Sequence, residues 1–218
     1  MKLFDQFINE SRTDSFAETI ASEILEIVSK NRSTVRFERA LEYADPVPVS
    51  ITLEVIRNSN FANSAPNEFS DMPWEVINFK RLGFVVDANT SIVRGSSAPE
   101  ISVTIFINPE LETELMSTLY YRVLDTIRHE LEHSAPTHAR SDPGQGRRAS
   151  AQYSYEYFIL PDEIPAMVAG LTLSAKKRGL SLVKAFHNYL RPFLEQGFIN
   201  SQELDKVIQV WLEYSDSH

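Results

Sequence analysis

His129-Glu130-Leu131-Glu132-His133 lies near the end of a longer periodic stretch. Leu111, Leu115, Leu119, Val123, Leu124, Ile127 and Leu131 recur every three or four residues. That spacing marks one buried face of a helix. It predicts a single helix over about 111–134, with Ser117 as the one candidate break. Pro136 cannot easily extend it. Residues four apart share a helix face, one turn from each other. His129 and His133 therefore present two imidazoles on the same side, and Glu130 projects beside them.

The chemistry of this spacing is specific. Two imidazole nitrogens one turn apart can hold one metal ion, and the adjoining carboxylate can take a proton from a metal-bound water. Zinc suits the donor set, and zinc-activated water attacks peptide carbonyls. From the residue frequencies, about 0.01 accidental H-E-x-x-H matches are expected in a chain of this size. Against the motif stands an amphipathic helix with two ordinary boundary histidines. The expectation is a zinc-dependent peptide-bond hydrolase with Glu130 as general base. The alternative is a protein that keeps the metal without catalysis and serves assembly or host interaction.

Composition narrows the field. The 218 residues suffice for one sizeable core. The formal net charge of −9 argues against a nucleic-acid partner. Arg147-Arg148 is the densest basic group and reads as a solvated loop. With no cysteine, thiolate metal sites and thiol catalysis are excluded. No secretory signal and no membrane span are read, so a cytoplasmic protein is expected.

Outward from the motif, the chain reads as helix, mixed sheet, motif helix, loop and a helical C-terminal part. Residues 1–12 form a short amphipathic lead. Ser15-x-x-Glu18 resembles a capping box opening a helix to about Lys30. Val47, Val49, Ile51, Leu53 and Val55 alternate as in a half-buried strand, and Phe84 to Asp87 form a short one. Asn58 to Met72 and Ser91 to Pro99 read as loop and turn, and Val76, Ile77 and Phe79 as a weak element. Ile101, Val103, Ile105 and Ile107 mark the clearest strand. A polypeptide substrate could add along residues 101–107 by edge pairing.

Residues 135–152 read as a mobile loop. Tyr153, Tyr155 and Tyr157 alternate beyond it. A helix should start after Leu160-Pro161-Asp162 and end before Gly179. Another carries Leu182 to Phe193, kinked or ended by Pro192. Asn200-x-x-Glu203 caps the last. Strands followed by helices indicate an α+β fold. A single domain over 1–218 is expected, with parts 1–110, 111–134, 135–152 and 153–218.

Catalytic zinc usually takes three protein ligands and a water. Three residues compete for the third place. His138 comes one position early for the spacing H-E-x-x-H-x-x-G-x-x-H, and Pro136 stands where its tight glycine turn would be. Asp125, one turn before His129, could orient that imidazole, or could be an exposed helix acid. Glu163 opens a helix, which holds a carboxylate stiffly, and Ala166 leaves room for close helix approach. Glu163 is the strongest of the three, against an ordinary first-turn acid. Tyr157, then Tyr155 or Tyr153, could donate to a developing oxyanion; ordinary packing competes with that role. Glu132, His187 and His218 read as solvated or plain residues.

His129, Glu130, His133, Tyr157, Pro161, Glu163, Ile164 and Ala166 together resemble small zinc peptidases of the gluzincin type, many of them from tailed bacteriophages. The resemblance covers roughly residues 101–172. It implies a zincin-like fold, with a small mixed sheet packed on the N-terminal helix and the motif helix. It also implies zinc held by His129, His133 and Glu163, with Glu130 as base, in a host cytoplasm or a virion. One departure stands out: larger gluzincins place an Asp four residues after the ligand Glu, where this chain has Met167.

Overall fold

The structure is a computed structural model. It describes residues 2–45, 48–58, 81–91, 98–110, 112–134 and 154–217, with side chains from residue 12 onward. Val47, the segment 59–80, the turn around Gly95, Leu111, Pro136, His138, Arg147-Arg148, Tyr153 and His218 lie outside the described residues. The rest is a mixed α+β arrangement. The chain divides into two compact units, residues 1–130 and 131–218. The division falls inside one continuous helix.

The first unit opens with α1 (Lys2–Lys30). The expected lead and the cap at Ser15 are not separate features, because no glycine or proline interrupts residues 2–30 and the helix simply runs on. Ser15 sits inside it, where its carbonyl accepts the Thr19 hydroxyl at 3.0 Å. Phe16, Ala17, Ile20, Ala21, Ile24 and Val28 form its buried stripe.

Among the described residues four strands follow: β1 (Arg36–Tyr43), β2 (Val49–Arg57), β3 (Phe84–Ser91) and β4 (Glu100–Ile107). Their order is β1-β2-β4-β3. β1 and β3 pair antiparallel with their neighbours, and β2 runs parallel to β4. Side chains alternate across a strand, so register fixes which residues share a face. Ile51 opposes Leu41 and Ile101, and Ile101 opposes Thr90. Leu41, Ile51, Ile101 and Thr90 therefore share one face, with the Leu53–Val103 and Val55–Ile105 pairs on the same side.

The register corrects one expectation. Residues 101–107 belong to β4, which is paired on both sides. Its backbone groups are already spent, so an extended peptide cannot add there. Among the described residues β1 and β3 are the outer strands. β3 also runs to Ser91, beyond the expected end at Asp87.

The motif helix is α2 (Glu112–His133), unbroken at Ser117. Its start is clamped from below. The Arg57 guanidinium donates to both Glu112 oxygens at 2.9 Å, and to the carbonyls of Val28 and Thr34. Further along, Arg128 of α2 donates to Asp14 of α1 at 2.9 Å. Arg32, just past α1, lies 4.0 Å from Glu112. The two helices thus run antiparallel. Tyr43 ties β1 to α1 by donating to Glu23 at 2.7 Å and packing edge-on against Phe16.

The second unit holds the end of α2, then α3 (Tyr155–Phe158), α4 (Glu163–Arg178), α5 (Leu182–Glu195) and α6 (Ser201–Ser217). The tyrosine alternation does not make a strand: the Ser154 hydroxyl caps a single helical turn instead. Gly179, at φ +63, ends α4 in the left-handed conformation that glycine adopts without steric cost. Pro192 stays inside α5. The box at Asn200 forms fully: Asn200 Oδ1 accepts from Glu203 N at 3.0 Å, and Glu203 accepts from Asn200 N at 2.8 Å. Phe158, Phe186, Phe193 and Trp211 pack edge to face at the centre, and Trp211 Nε1 donates to Phe158 O at 2.8 Å. Among the described residues no helix is long and apolar enough to cross a membrane.

Candidate metal centre

The last two turns of α2 carry His129, Glu130 and His133. His129 and His133 stand one turn apart on the helix, as the sequence spacing requires. Their side chains are 13% and 8% exposed, so both imidazoles are largely removed from water. Inside the second unit, Glu163 opens α4. Leu160, Pro161 and Asp162 turn the chain there, and the Leu160 carbonyl accepts from both Glu163 N and Ile164 N at 3.0 Å.

That turn brings the Glu163 carboxylate to His133: Oε2 lies 3.5 Å from Nε2. One ligand atom each from His129, His133 and Glu163 lies within 4.8 Å of the other two. Two relations make this group. One runs along a single helix, and the other lies wholly inside the second unit. Ligand atoms about 2.0–2.1 Å from a tetrahedral ion sit about 3.3 Å apart. The 3.5 Å separation fits such an ion, and so does a donor set of two nitrogens and an oxygen.

Tyr157 is buried in α3, and its hydroxyl donates to Glu163 Oε2 at 2.9 Å. Here its single proton is given to the carboxylate, which it fixes in place. Tyr155 is half-buried in the same turn.

Glu130 is buried and belongs to the first unit. Its Oε1 lies 3.8 Å from His129 Nε2. Its Oε2 accepts the Thr90 hydroxyl from β3 at 2.7 Å. Asp87, on the same strand, is pushed up to about 6, chiefly by burial and then by the charge of Glu130. A backbone hydrogen bond at Ala88 and the charge of Arg122 offset part of this rise. Thr90 lies beyond the strand expected to end at Asp87, and the continuing alternation of Phe84, Val86, Ala88 and Thr90 is the signal that marks it.

Asp125 is not an exposed helix acid. Its side chain is 14% exposed and 3.4 Å from Arg122 Nη1. Burial pushes its pKa up, while Arg122, Thr126 and the nearby His129 pull it down. Glu132 is half-buried, and His187 is exposed on α5. Comparison with known proteins finds no matching protein family, no matching curated protein and no matching solved structure.

Proposed function

We propose that this chain is a zinc-dependent peptide-bond hydrolase with a zincin-like fold, of the gluzincin type. His129, His133 and Glu163 hold the ion, and Glu130 is the general base. The observation that carries this reading is the approach of Glu163 to His133, at 3.5 Å, from a helix far along the chain. A carboxylate brought to the imidazole pair completes the three-ligand set of catalytic zinc sites.

When bound, zinc supplies a Lewis acid and a water that ionises near neutral pH. Every other step falls to side chains of this protein. Glu130 takes one proton from the attacking water as the oxygen bonds the peptide carbonyl carbon. It then passes that proton to the amide nitrogen as the C–N bond breaks. Tyr157 holds the Glu163 carboxylate in place for the ion. Among the described residues β3 pairs only with β4, so its outer edge can take an extended peptide. Thr90 connects that strand to the base.

The test compares zinc-loaded parent with Glu130→Gln on a mixture of unstructured peptides. Zinc content should be equal in both. The rate should fall by about 10²–10⁴-fold, the usual contribution of a positioned acid–base group. Equal rates would remove Glu130 from the role. A zinc-loaded parent that cleaves nothing would leave a metal-binding protein that is not an enzyme.

A further inference from the structure

We propose that Thr90 is the positioning residue for Glu130: its hydroxyl locks one carboxylate oxygen and so decides which oxygen receives the proton. This inference deepens the hydrolase reading and rests on it.

A glutamate side chain has three torsions, and its two oxygens are chemically alike. Left to itself it samples several rotamers and exchanges them. Here the exchange is blocked. Thr90 Oγ1 lies 2.7 Å from Glu130 Oε2 and 3.2 Å from the Glu130 carbonyl oxygen. A hydroxyl has one proton to give. The shorter contact is to the carboxylate oxygen, and the shorter bond is the stronger one. Oε2 is therefore engaged from the sheet side, which leaves Oε1, 3.8 Å from His129 Nε2, as the oxygen turned to that imidazole.

Thr90 is itself held firmly. It opposes Ile101 in the β3–β4 ladder, so its backbone moves only with the sheet. Branching at Cβ restricts its χ1. The same hydroxyl lies 3.2 Å from the Glu130 carbonyl oxygen, so it stands against the backbone of the base as well. The pairing spans forty residues of sequence and joins β3 to α2 at the point where the chemistry is placed. A base misplaced by an ångström loses roughly 100-fold in rate, so a brace of this kind has catalytic consequences.

The experiment uses the full chain, zinc-loaded, in five forms: parent, Thr90→Val, Thr90→Ser, Glu130→Gln and the double variant Thr90→Val/Glu130→Gln. Zinc content, kcat and KM on a cleaved peptide, and urea unfolding are read for each. Thr90→Val should keep about one zinc per chain and a KM within about twofold, while kcat falls roughly 10- to 100-fold. Thr90→Ser, which restores the hydroxyl, should recover kcat to within about threefold of the parent. With Glu130→Gln already in place, Thr90→Val should change the residual rate by less than about twofold, because residues that act as one unit are not additive.

A Thr90→Val variant with parental kcat overturns the proposal. So does an equal loss with and without Glu130, since Thr90 would then act on its own. Loss of zinc in Thr90→Val without recovery in Thr90→Ser overturns it as well, because it marks a role in folding alone. Should the Val variant fold poorly, Thr90→Ala against Thr90→Ser makes the same comparison. Failure of the hydrolase reading looks different: the parent cleaves nothing, while the unfolding data still show Thr90 and Glu130 coupled.

Discussion

The two ends of α2 are both polar and buried, and they differ in kind. At the start, Arg57 meets Glu112, a cation against an anion, with side chains 3% and 5% exposed. The guanidinium fork spends four contacts on two carboxylate oxygens and two backbone carbonyls. Charge and hydrogen bonds close on themselves, and nothing from outside is called for. At the other end the groups that gather are electron-pair donors: two imidazoles and the Glu163 carboxylate, with Glu130 beside them. Such a set suits a cation from solution. A fold can therefore hold a helix with one polar cluster and offer a ligand site with another. The difference lies in whether the positive charge belongs to the chain.

That contrast can be broken at either end. Glu112→Ala should cost about 3–5 kcal/mol in urea unfolding, the usual loss when one partner of a buried pair is removed. A loss under about 1 kcal/mol would mean that Arg57 finds other partners and the clamp is not the anchor. The opposite end should respond to metal. Zinc at 100 times its dissociation constant should stabilise the parent by about 2.7 kcal/mol and leave His133→Ala unchanged. Equal stabilisation of both proteins would place the ion elsewhere.

Tyr157→Phe sharpens the comparison further. It deletes only the hydroxyl that holds Glu163. Zinc affinity should drop about 10- to 100-fold, as for other groups that orient a ligand. An unchanged affinity would show that α4 alone aims the carboxylate.

The smallest effect concerns Asp87 in the metal-free chain. Its pKa stands at about 6 in the fold, against an ordinary value of 3.8. Between those values the folded protein keeps a proton that the unfolded chain has lost. This group's contribution to stability therefore falls as pH rises from about 4 to 6 and is level above. Asp87→Asn has no proton to lose. Its unfolding midpoint should equal or trail the parent's at pH 4 and exceed it at pH 7. A difference independent of pH would remove the burial and charge argument.

The sequence made some of this visible and hid the rest for physical reasons. α2, β2 and β4 bury one face each, and such faces leave a period of 3.6 or 2 in the chain. The box at Asn200 and the glycine stop at 179 are local rules, and they held. β1 left little trace, because it is an outer strand with mostly exposed side chains and only Leu41 deeply buried. The central place of β4 depends on which strands pair, and no local pattern encodes that. The imidazole pair and Glu130 are legible in the motif spacing, and Glu163 in its place at a helix start ahead of Ala166. The hydroxyl of Tyr157 on Glu163, and that of Thr90 on Glu130, came only from the fold.

Zinc titrated into the metal-free protein by calorimetry, alongside Glu163→Gln, bears most directly on the centre. The substitution keeps the shape of the side chain and removes its charge. The parent should bind about one zinc per chain, and the variant should bind it at least tenfold more weakly. A parent that takes up no zinc, or a variant that binds it as tightly as the parent, would contradict the three-ligand centre.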